Sequence, residues 1–494
     1  MCVRKLFTFV LFLITHGLTP VVAWSEIPED SPRRTETVKL IQQIEPAVVA
    51  IFSQSSEGGS SGSGSIIHPH GYVLTCDHVV RDRPGVVLVG GKQIRRYRIV
   101  ARLPEKDLSI IQYARQENAP FISIGQSLDI MTGEPILVGG NPGGRGIVFT
   151  SGIVSSRSVV ANMPNALAQA QLGGEYRDKF IQFDAASNRG NSGGPLFNAL
   201  GEQIGVVSGK NFDEENINYA VPVETLRSHL KAMIAAEIRS DIYTGIECDY
   251  SHEAADVISV APESPAGKAG LLPGDVITSL NEFPVDDSLH WLLSLMYRSP
   301  GEIIELTYLR DKAMHSMKFK LDSYPLIEPV EIDQELLEHG GTVKIYEGQF
   351  EVLPELEKMK PVRTVLFEDW KSPEEIAGLE HYFAMRIEGY LSVQDSDAIQ
   401  FILGSDDGSR LRIDGQNVID NPGHHPYQQE SNWVRLEKGL HKIRIDYFES
   451  TGDSSLKLQW KVAGKDPEIV PAKLIFRKKM VEQDLNKDSG NKSE

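Results

Sequence analysis

The sequence predicts a mainly β protein built from several domains. A chain of 494 residues is too long for one ordinary hydrophobic core, so two to four domains are expected. Between about residues 47 and 222, short apolar runs such as "GSIIH", "GVVLVG" and "QIGVVSG" recur at close spacing, separated by Gly, Pro and Asn. Many short strands with such turn residues between them are typical of a β-sandwich or β-barrel.

The first 23 residues differ in character from the rest of the chain. Arg4 and Lys5 precede an apolar run, and small residues end at Ala23. Because the run is too short to span a bilayer, we expect residues 1–23 to be a cleaved secretory signal. The mature protein is then periplasmic or secreted. An uncleaved N-terminal anchor is the alternative.

Composition and charge exclude several classes of partner. With 41% hydrophobic and 24% charged residues, the chain resembles a soluble globular protein. The net charge of -18 argues against nucleic acid and anionic membranes as partners. Loss of the signal removes Cys2 and leaves Cys76 and Cys248, far apart in sequence, so no disulfide framework is expected. Both thiols are expected to be small buried side chains.

The elements divide the chain into three domains. Residues 36–54 predict an amphipathic helix that runs into a strand at residues 47–52, and residues 222–238 predict a closing helix with Leu226, Leu230 and Met233 on one face. The expected boundaries are a first domain at residues 36–238, a second at 242–322, a polar linker at 323–341, a third domain at 342–476 and a charged, disordered tail at 477–494.

A serine set among glycines gives the first chemical signal. "NRGNSGGPLF" places Ser192 between Gly190 and Gly193. A serine hydroxyl is a poor nucleophile at neutral pH, so catalysis needs a nearby base and donors aimed at the oxyanion. "YVLTCDHVV" puts His78 at the end of an apolar strand, and "RLPEKDLSIIQY" puts Asp107 just before another. The chain order His, Asp, Ser is that of the chymotrypsin fold.

These segments resemble the HtrA/Deg family of envelope serine proteases. The likeness covers about residues 36–235 and includes "SGSGSIIHPHGY", "GGNPGG", "TSGIVSS" and "NYAVPVETL". It implies a chymotrypsin-like double β-barrel in which Ser192 attacks a peptide carbonyl, His78 transfers the proton and Asp107 orients His78. It also implies ATP-independent hydrolysis of unfolded or damaged envelope proteins.

The same resemblance implies further features of the first domain. The amides of Gly190, Asn191 and Ser192 would form the oxyanion hole, no cofactor would be required for proteolysis, and the protein would assemble as a homotrimer through its protease domains. Asn191 is not an acid that could capture a freed N-terminal ammonium, so zymogen activation is not expected. Ala186 stands where trypsin-like specificity would need an acid, which predicts cleavage after small or medium apolar residues.

Three positions depart from the family pattern. Cys76 and Asp77 stand where the family commonly has asparagines, and Asn218 stands where a glycine is usual near the substrate-binding edge. Asp77 is a rival to Asp107 as the orienting acid, although a side chain adjacent to His78 would normally point elsewhere. The competing hypothesis is a proteolytically silent peptide- or carbohydrate-binding protein that keeps the protease fold as a scaffold.

The second domain resembles a PDZ domain of the HtrA type. "YTGIECDY" is followed by "SPAGKAGLLPGDVITSLNEFPV". The resemblance implies that the amides of Tyr243, Thr244, Gly245 and Ile246 accept the C-terminal carboxylate of a peptide, which pairs with the next strand as an added β-strand. Exposed C-termini or unfolded apolar tails would then be substrates or activators. A small α+β domain with a glycine-rich turn is the alternative.

The third domain resembles a PA14 β-sandwich. The likeness rests on "FILGSDDGSRLRIDGQNVIDN", with "GYLSV" before it and "GLHKIRIDYFESTGDSSLKLQW" after it. Some PA14 domains bind sugars through a calcium ion held by paired aspartates, and the matching pair is Asp406 and Asp407. Paired acids followed by glycine are also ordinary turn formers. His424 and His425 suggest a metal, but a solvated loop is the simpler interpretation.

Overall fold

The computed structural model describes residues 28, 30–55, 58–81, 83–113, 118–160, 179–210, 217–281, 283–462 and 467–479. The predicted signal of residues 1–23 lies outside the described residues, as do residues 480–494 of the predicted tail. In the part of the chain that is described, no helix has the length and apolar character needed to cross a bilayer.

Two closed six-stranded β-barrels follow a short N-terminal helix. The helix α1 (Glu36–Ile44) is capped by Thr35, whose side chain accepts a hydrogen bond from the Val38 amide, and it ends where the 3₁₀ turn Glu45–Ala47 begins. The first barrel contains β1 (Val48–Ser55), β2 (Gly58–His68), β3 (Tyr72–Thr75), β4 (Gly85–Val89), β5 (Gln93–Leu103) and β6 (Leu108–Tyr113). The second contains β7 (Pro135–Gly140), β8 (Val148–Val160), β9 (Lys179–Phe183), β10 (Pro195–Phe197), β11 (Gln203–Lys210) and β12 (Asn218–Pro222).

Both barrels close by antiparallel pairing. The strand order is β1-β2-β3-β6-β5-β4 in the first and β10-β11-β12-β9-β8-β7 in the second. In the first barrel β4 returns to pair with β1, and in the second β10 pairs with β7. The predicted chymotrypsin-like double β-barrel is therefore confirmed. The loops that carry His78, Asp107 and Ser192 follow β3, precede β6 and precede β10, respectively.

The helices around the barrels are α2 (Asp77–Val80), α3 (Val223–Ile234) and α4 (Ala236–Ser240). The single helix predicted over residues 222–238 was wrong, because the chain breaks at Ala235. Ala235 has the left-handed values φ 44° and ψ 49°. Its side chain packs in a small apolar cluster with Ala398 and Trp433 of the third domain. A tertiary contact thus accounts for a break that the helical pattern does not signal.

The second domain is one sheet with two helices. Its strands are β13 (Ile246–Cys248), β14 (Ala255–Val260), β15 (Val276–Leu280), β16 (Phe283–Pro284), β17 (Ile303–Arg310) and β18 (Ala313–Lys320), and its helices are α5 (Pro265–Ala269) and α6 (Ser288–Leu295). The order β13-β14-β15-β17-β18 leaves β13 at the edge of the sheet. All eight residues of α6 are buried.

The third domain is a β-sandwich. Its strands are β19 (Leu337–His339), β20 (Gly341–Glu347), β21 (Arg363–Phe367), β22 (Phe383–Val393), β23 (Asp397–Asp406), β24 (Ser409–Ile413), β25 (Gln416–Asn421), β26 (Gln428–Leu436), β27 (Gly439–Glu449), β28 (Ser455–Val462), β29 (Glu468–Ile469) and β30 (Ile475–Lys478), with one helix, α7 (Pro373–Ala377). An eight-stranded sheet faces a four-stranded sheet. Strand β19 lies within the predicted linker, and β30, which pairs with it, runs two residues past the predicted domain end.

The three domains pack against one another. The His290 Nε2 atom lies 2.8 Å from the Ile67 carbonyl oxygen, and the His68 Nε2 atom lies 3.1 Å from the Ser294 hydroxyl, which joins α6 to the first barrel. One contiguous apolar core runs from that barrel through α3 into the second domain. The third domain contacts α4, where the Arg239 guanidinium lies 5.2 Å from the centre of the Trp433 ring.

Candidate active site

His78 and Asp107 form a closely bonded pair between the barrels. His78 lies on α2, directly after β3, and its Nδ1 atom lies 2.9 Å and 2.8 Å from the two carboxylate oxygens of Asp107. The His78 backbone amide also donates to Asp107, at 2.9 Å. Because Nδ1 is engaged by a carboxylate, the ring is held in the tautomer that leaves Nε2 as an acceptor.

The surroundings of the pair shift the pKa of both His78 and Asp107. Burial acts to lower the pKa of His78, but the charge and hydrogen bond of Asp107 outweigh it, so the pKa is raised above the ordinary value. Burial acts to raise the pKa of Asp107, yet the hydrogen bonds and charge supplied by His78, together with Ser208, hold it below its ordinary value. Asp107 is therefore ionised and ready to stabilise an imidazolium.

Asp107 is held in an unusual backbone conformation. It ends the 3₁₀ turn Pro104–Lys106 in the left-handed region, at φ 54° and ψ 39°. The Ser208 hydroxyl on β11 donates to its second oxygen at 2.6 Å. The rival acid, Asp77, is engaged elsewhere: Arg102 donates to its two oxygens at 2.6 Å and 2.8 Å, and Ser109 donates at 2.7 Å.

The loop that carries Ser192 is tightly packed against β2. Gly190 has φ 104°, and a Cβ there would lie 2.5 Å from the Asn141 carbonyl oxygen; Gly193 has φ 82°, and a Cβ there would lie 2.3 Å from the Ser63 carbonyl oxygen. Both positions therefore require glycine. The Ser63 hydroxyl donates to the Gly190 carbonyl oxygen at 2.6 Å and accepts from the Asn141 amide at 2.8 Å.

Of the three predicted oxyanion donors, one is already in use. The Asn191 amide donates to the Asn188 carbonyl oxygen at 3.0 Å, within the turn that sets the loop. The Asn191 amide is thus engaged within the loop, and an oxyanion hole formed by the amides of Gly190, Asn191 and Ser192 stays a prediction. The His78 ring is bonded to Asp107 alone among the described residues, so no hydrogen bond joins it to Ser192. Catalytic hydrogen bonds of this kind are often long before substrate binds.

The predicted specificity position lies at an exposed edge of the second barrel. Ala186 is exposed, and its carbonyl oxygen accepts from the Thr150 hydroxyl at 2.8 Å. The buried Asn218 side chain donates to the Ala185 carbonyl oxygen at 2.9 Å. The asparagine that departs from the family pattern thus fixes the chain segment next to Ala186.

Cys76 lies beside His78 and Asp107, and its thiol stays protonated. It is a buried free thiol whose Sγ atom lies 3.3 Å from the Val207 carbonyl oxygen, and burial raises its pKa well above the ordinary value. In the described ranges, Cys76, His78 and Asp107 are the only group of potential metal ligands close enough to share an ion. Since Asp107 already engages His78 Nδ1 and the thiol stays protonated, the group is better suited to proton transfer than to a metal.

The predicted carboxylate loop of the PDZ domain is compact and largely buried. The Tyr243 amide donates to the Asp322 carbonyl oxygen at 2.8 Å, and the Ile246 amide donates to the Thr244 hydroxyl at 3.1 Å. Gly245, at φ 77°, lies where a Cβ would meet the Ser264 side chain at 2.0 Å. The loop leads directly into the edge strand β13.

In the third domain, Asp406 and Asp407 lie at a turn. Asp407 is buried, and its two oxygens accept from the amides of His425, at 3.2 Å, and Ser450, at 2.7 Å. Glu449 is fully buried nearby, and burial raises its pKa to about 7. His424 is exposed, with Nε2 3.7 Å from Asp407. No three of these groups stand close enough to share an ion, as far as the described residues go, so they do not form a ready calcium site.

Three functional residues escaped the sequence analysis. Ser208 and Ser63 support the site across 101 and 127 residues of chain, and Glu449 joins the paired aspartates from a distant strand. Ser63 lies within the family motif "SGSGS", which does not mark it as a residue that supports the site. No local signal marks Ser208 or Glu449, because their roles arise from strand pairing.

Comparisons with known proteins agree with this arrangement. Three family models match: a trypsin-like peptidase domain over residues 62–206, a PDZ domain over 243–321 and a PA14 domain over 337–473. A probable periplasmic serine protease do/HhoA-like from Haemophilus influenzae is 30% identical over 68% of this chain and 74% of its own length. The periplasmic serine endoprotease DegP of Escherichia coli (strain K12) is 31% identical over 57% of this chain and 63% of its own.

A third relative, a probable periplasmic serine endoprotease DegP-like from Bartonella henselae, is 29% identical over 53% of each chain. The chain thus spans between about half and three quarters of the length of these relatives. Together with the double barrel and the His78–Asp107 pair, the matches lead to one conclusion. The chain belongs to the DegP/HtrA-like family of serine proteases.

Proposed function

We propose that the protein is an exported, ATP-independent serine endopeptidase that cleaves unfolded or damaged proteins of the cell envelope. The observation that carries this proposal is the bonded pair of His78 and Asp107, set beside a glycine loop that presents Ser192. Family membership and the names of the relatives support a periplasmic location.

The geometry supports a two-step hydrolysis. The Ser192 Oγ atom attacks the scissile carbonyl carbon while its proton passes to His78 Nε2, and Asp107 stabilises the imidazolium that forms. The amides of Gly190 and Ser192 bind the oxyanion. His78 then protonates the leaving amine as the C–N bond breaks. Water attacks the acyl-enzyme by the reverse of these proton transfers and regenerates the Ser192 hydroxyl.

Specificity follows from the edge of the second barrel. The side chain at position 186 is a methyl group, and no carboxylate stands there to pair with a basic residue of the substrate. We propose cleavage after small or medium apolar residues. Such residues are exposed in unfolded proteins and buried in folded ones, which gives selectivity for damaged substrates.

The PDZ domain is proposed to bind peptide C-termini. Tyr243, Thr244 and Gly245 precede β13, which begins at Ile246, and β13 is an edge strand to which an extended peptide can add. The PA14 domain is proposed as a targeting module for a glycan surface. Calcium at Asp406 and Asp407 would need rearrangement, since Asp407 is bonded to two backbone amides. A homotrimer is proposed from family likeness alone.

The test is hydrolysis of an unfolded substrate by the purified chain from residue 24 onward. Casein should be cleaved without ATP or metal, and Ser192→Ala should reduce the rate by at least about 10³-fold. Ser61→Ala, an exposed serine on β2, is the matched control and should retain activity. If neither the unmodified chain nor the control cleaves casein, the silent-scaffold hypothesis is favoured.

A further inference from the structure

The carboxylate loop of the PDZ domain already holds a carboxylate. Glu237, on the short helix α4 that joins the protease and PDZ domains, accepts a hydrogen bond from the Thr244 backbone amide at 2.8 Å. The Thr244 hydroxyl donates to the same oxygen. Thr244 is fully buried, so these donors face the interior of the loop. A glutamate side chain presents the same chemical group as the C-terminus of a peptide.

Two of the other amides of the loop already have acceptors. Tyr243 donates to the Asp322 carbonyl oxygen, and Ile246 donates to the Thr244 hydroxyl. The Thr244 amide is therefore a principal donor of the loop, and it is already bonded to Glu237. A peptide carboxylate that enters the loop must compete for that amide.

Helices α3 and α4 also cover part of the PDZ domain near this loop. Helices α3 and α4 both pack against α6. The sequence of α6, "SLHWLLSL", is mainly apolar, and all eight of its residues are buried. Ile246 and Cys248 of β13 are buried as well. Helices α3 and α4 thus cover α6, and Lys231 of α3 pairs with Glu247 of β13.

Few groups stabilise the Glu237 carboxylate in its position on the loop. No lysine or arginine lies within ion-pair distance of its carboxylate among the residues that the structure describes. Burial, the leading influence, raises the pKa of Glu237 despite its bonds to Thr244. A desolvated carboxylate without a cation is costly to keep, which makes it replaceable by a ligand that adds further contacts.

We propose that Glu237 is an internal ligand of the PDZ carboxylate loop, and that a peptide C-terminus binds by displacing it from Thr244. This inference rests on the proposed peptide-binding function of the loop. The partner is an extended peptide with an apolar C-terminal residue and a free carboxylate. Its binding would release α4 from the PDZ domain, and α4 is the segment that also contacts the third domain through Arg239 and Trp433.

The test measures peptide binding to the full mature chain carrying Ser192→Ala, so that nothing is cleaved. The probe is a fluorescent decapeptide with an apolar free C-terminus, compared with its C-terminal amide by anisotropy. A hydrogen bond to a charged group stabilises by about 1.5–3 kcal/mol, so Glu237→Ala should tighten binding of the free acid by about tenfold or more. Glu237→Gln, which keeps the shape and loses the charge, should give a smaller gain.

Glu263→Gln is the matched control, since Glu263 is exposed and its carboxylate lies 3.9 Å from Lys268. It should leave affinity unchanged, and thermal unfolding should verify that each variant is folded. If binding depends on the free carboxylate but Glu237→Ala leaves it equal or weaker, Glu237 merely braces the loop and the inference is overturned. If acid and amide bind alike in every folded protein, the loop is not a carboxylate site, and the proposed PDZ function fails together with the inference.

Discussion

At the scale of single residues, the site depends on how a few polar groups are held. Asp107 is fixed by His78 on one side and by Ser208 on the other, while Asp77, one residue before His78, is neutralised by Arg102. Two neighbouring acids therefore have separate roles. Asp107 orients His78, the proposed base, and Asp77 joins α2 to β5 through Arg102.

The raised pKa of His78 has a consequence for the pH dependence of catalysis. His78 must be neutral to accept the Ser192 proton, and its pKa lies above the ordinary value of 6.5. Activity should therefore be lost as pH falls through a midpoint above 6.5, with kcat/KM dropping about tenfold per pH unit below it. A pH profile on an uncharged peptide substrate measures the midpoint. NMR titration of His78 in Ser192→Ala provides a check, and a midpoint below 6.5 would contradict the electrostatic account.

Ser63 is expected to be a positioning residue. Its hydroxyl joins the Gly190 carbonyl oxygen to the Asn141 amide, so Ser63→Ala should loosen the loop that carries the oxyanion donors. Misplaced donors stabilise the transition state less, so kcat should fall by about 10- to 100-fold with KM little changed. Steady-state kinetics of Ser63→Ala, compared with those of Ser61→Ala, distinguish this role from a general effect of removing a serine from β2. An unchanged kcat in Ser63→Ala would exclude a positioning role for Ser63.

At the scale of elements, the strands were predictable and the breaks were not. The short apolar runs, with turn residues between them, predict the barrels, and the motifs around Ser192 and His78 predict which loops meet. The helix at residues 222–238 looked continuous, because nothing local marks Ala235. Its left-handed conformation follows from packing against Trp433, nearly 200 residues away in the sequence. Ser208 was missed for the same reason.

The packing of α3 makes a specific prediction about stability. The buried Arg227 guanidinium donates to the carbonyl oxygens of Ile124 and His252, at 2.9 Å and 2.7 Å, and lies 3.8 Å from Asp287. Arg227→Ala would leave the buried Ile124 carbonyl oxygen and the buried Asp287 carboxylate without this partner, so we expect a loss of about 3 kcal/mol in the free energy of unfolding. Denaturant unfolding measures it.

The control for Arg227 lies on the same helix. Lys231 is 63% exposed and pairs with Glu247, so Lys231→Ala should cost no more than about 0.5 kcal/mol. Equal effects of the two substitutions would show that the buried guanidinium does not join the domains.

At the scale of the whole molecule, α4 is the point where all three domains meet. It continues from the protease domain, Glu237 contacts the PDZ loop, and Arg239 lies over Trp433 of the third domain. The proposed displacement of Glu237 is therefore expected to affect the contacts of α4 with the other two domains.

Trp433 is expected to hold the third domain in place. It is buried against Ala235 and Ile238, and removal of a buried tryptophan costs about 3–5 kcal/mol. Trp433→Ala should release the domain to move on residues 323–341, which would increase the radius of gyration in small-angle X-ray scattering. Tyr382→Ala, at a 41% exposed aromatic of the same domain, should leave the radius unchanged. An unchanged radius in both variants would place the main contact elsewhere.

The proposed mechanism depends on Ser192 being an activated nucleophile. The most direct measurement is covalent labelling of the mature chain by a serine-directed phosphonate, with the modified residue located by mass spectrometry. We predict one label, on Ser192, that is absent in Ser192→Ala. Labelling should be much slower in Asp107→Asn, since that change removes the charge that supports His78. Labelling that is absent from the folded chain, or that persists in Ser192→Ala, would contradict this mechanism.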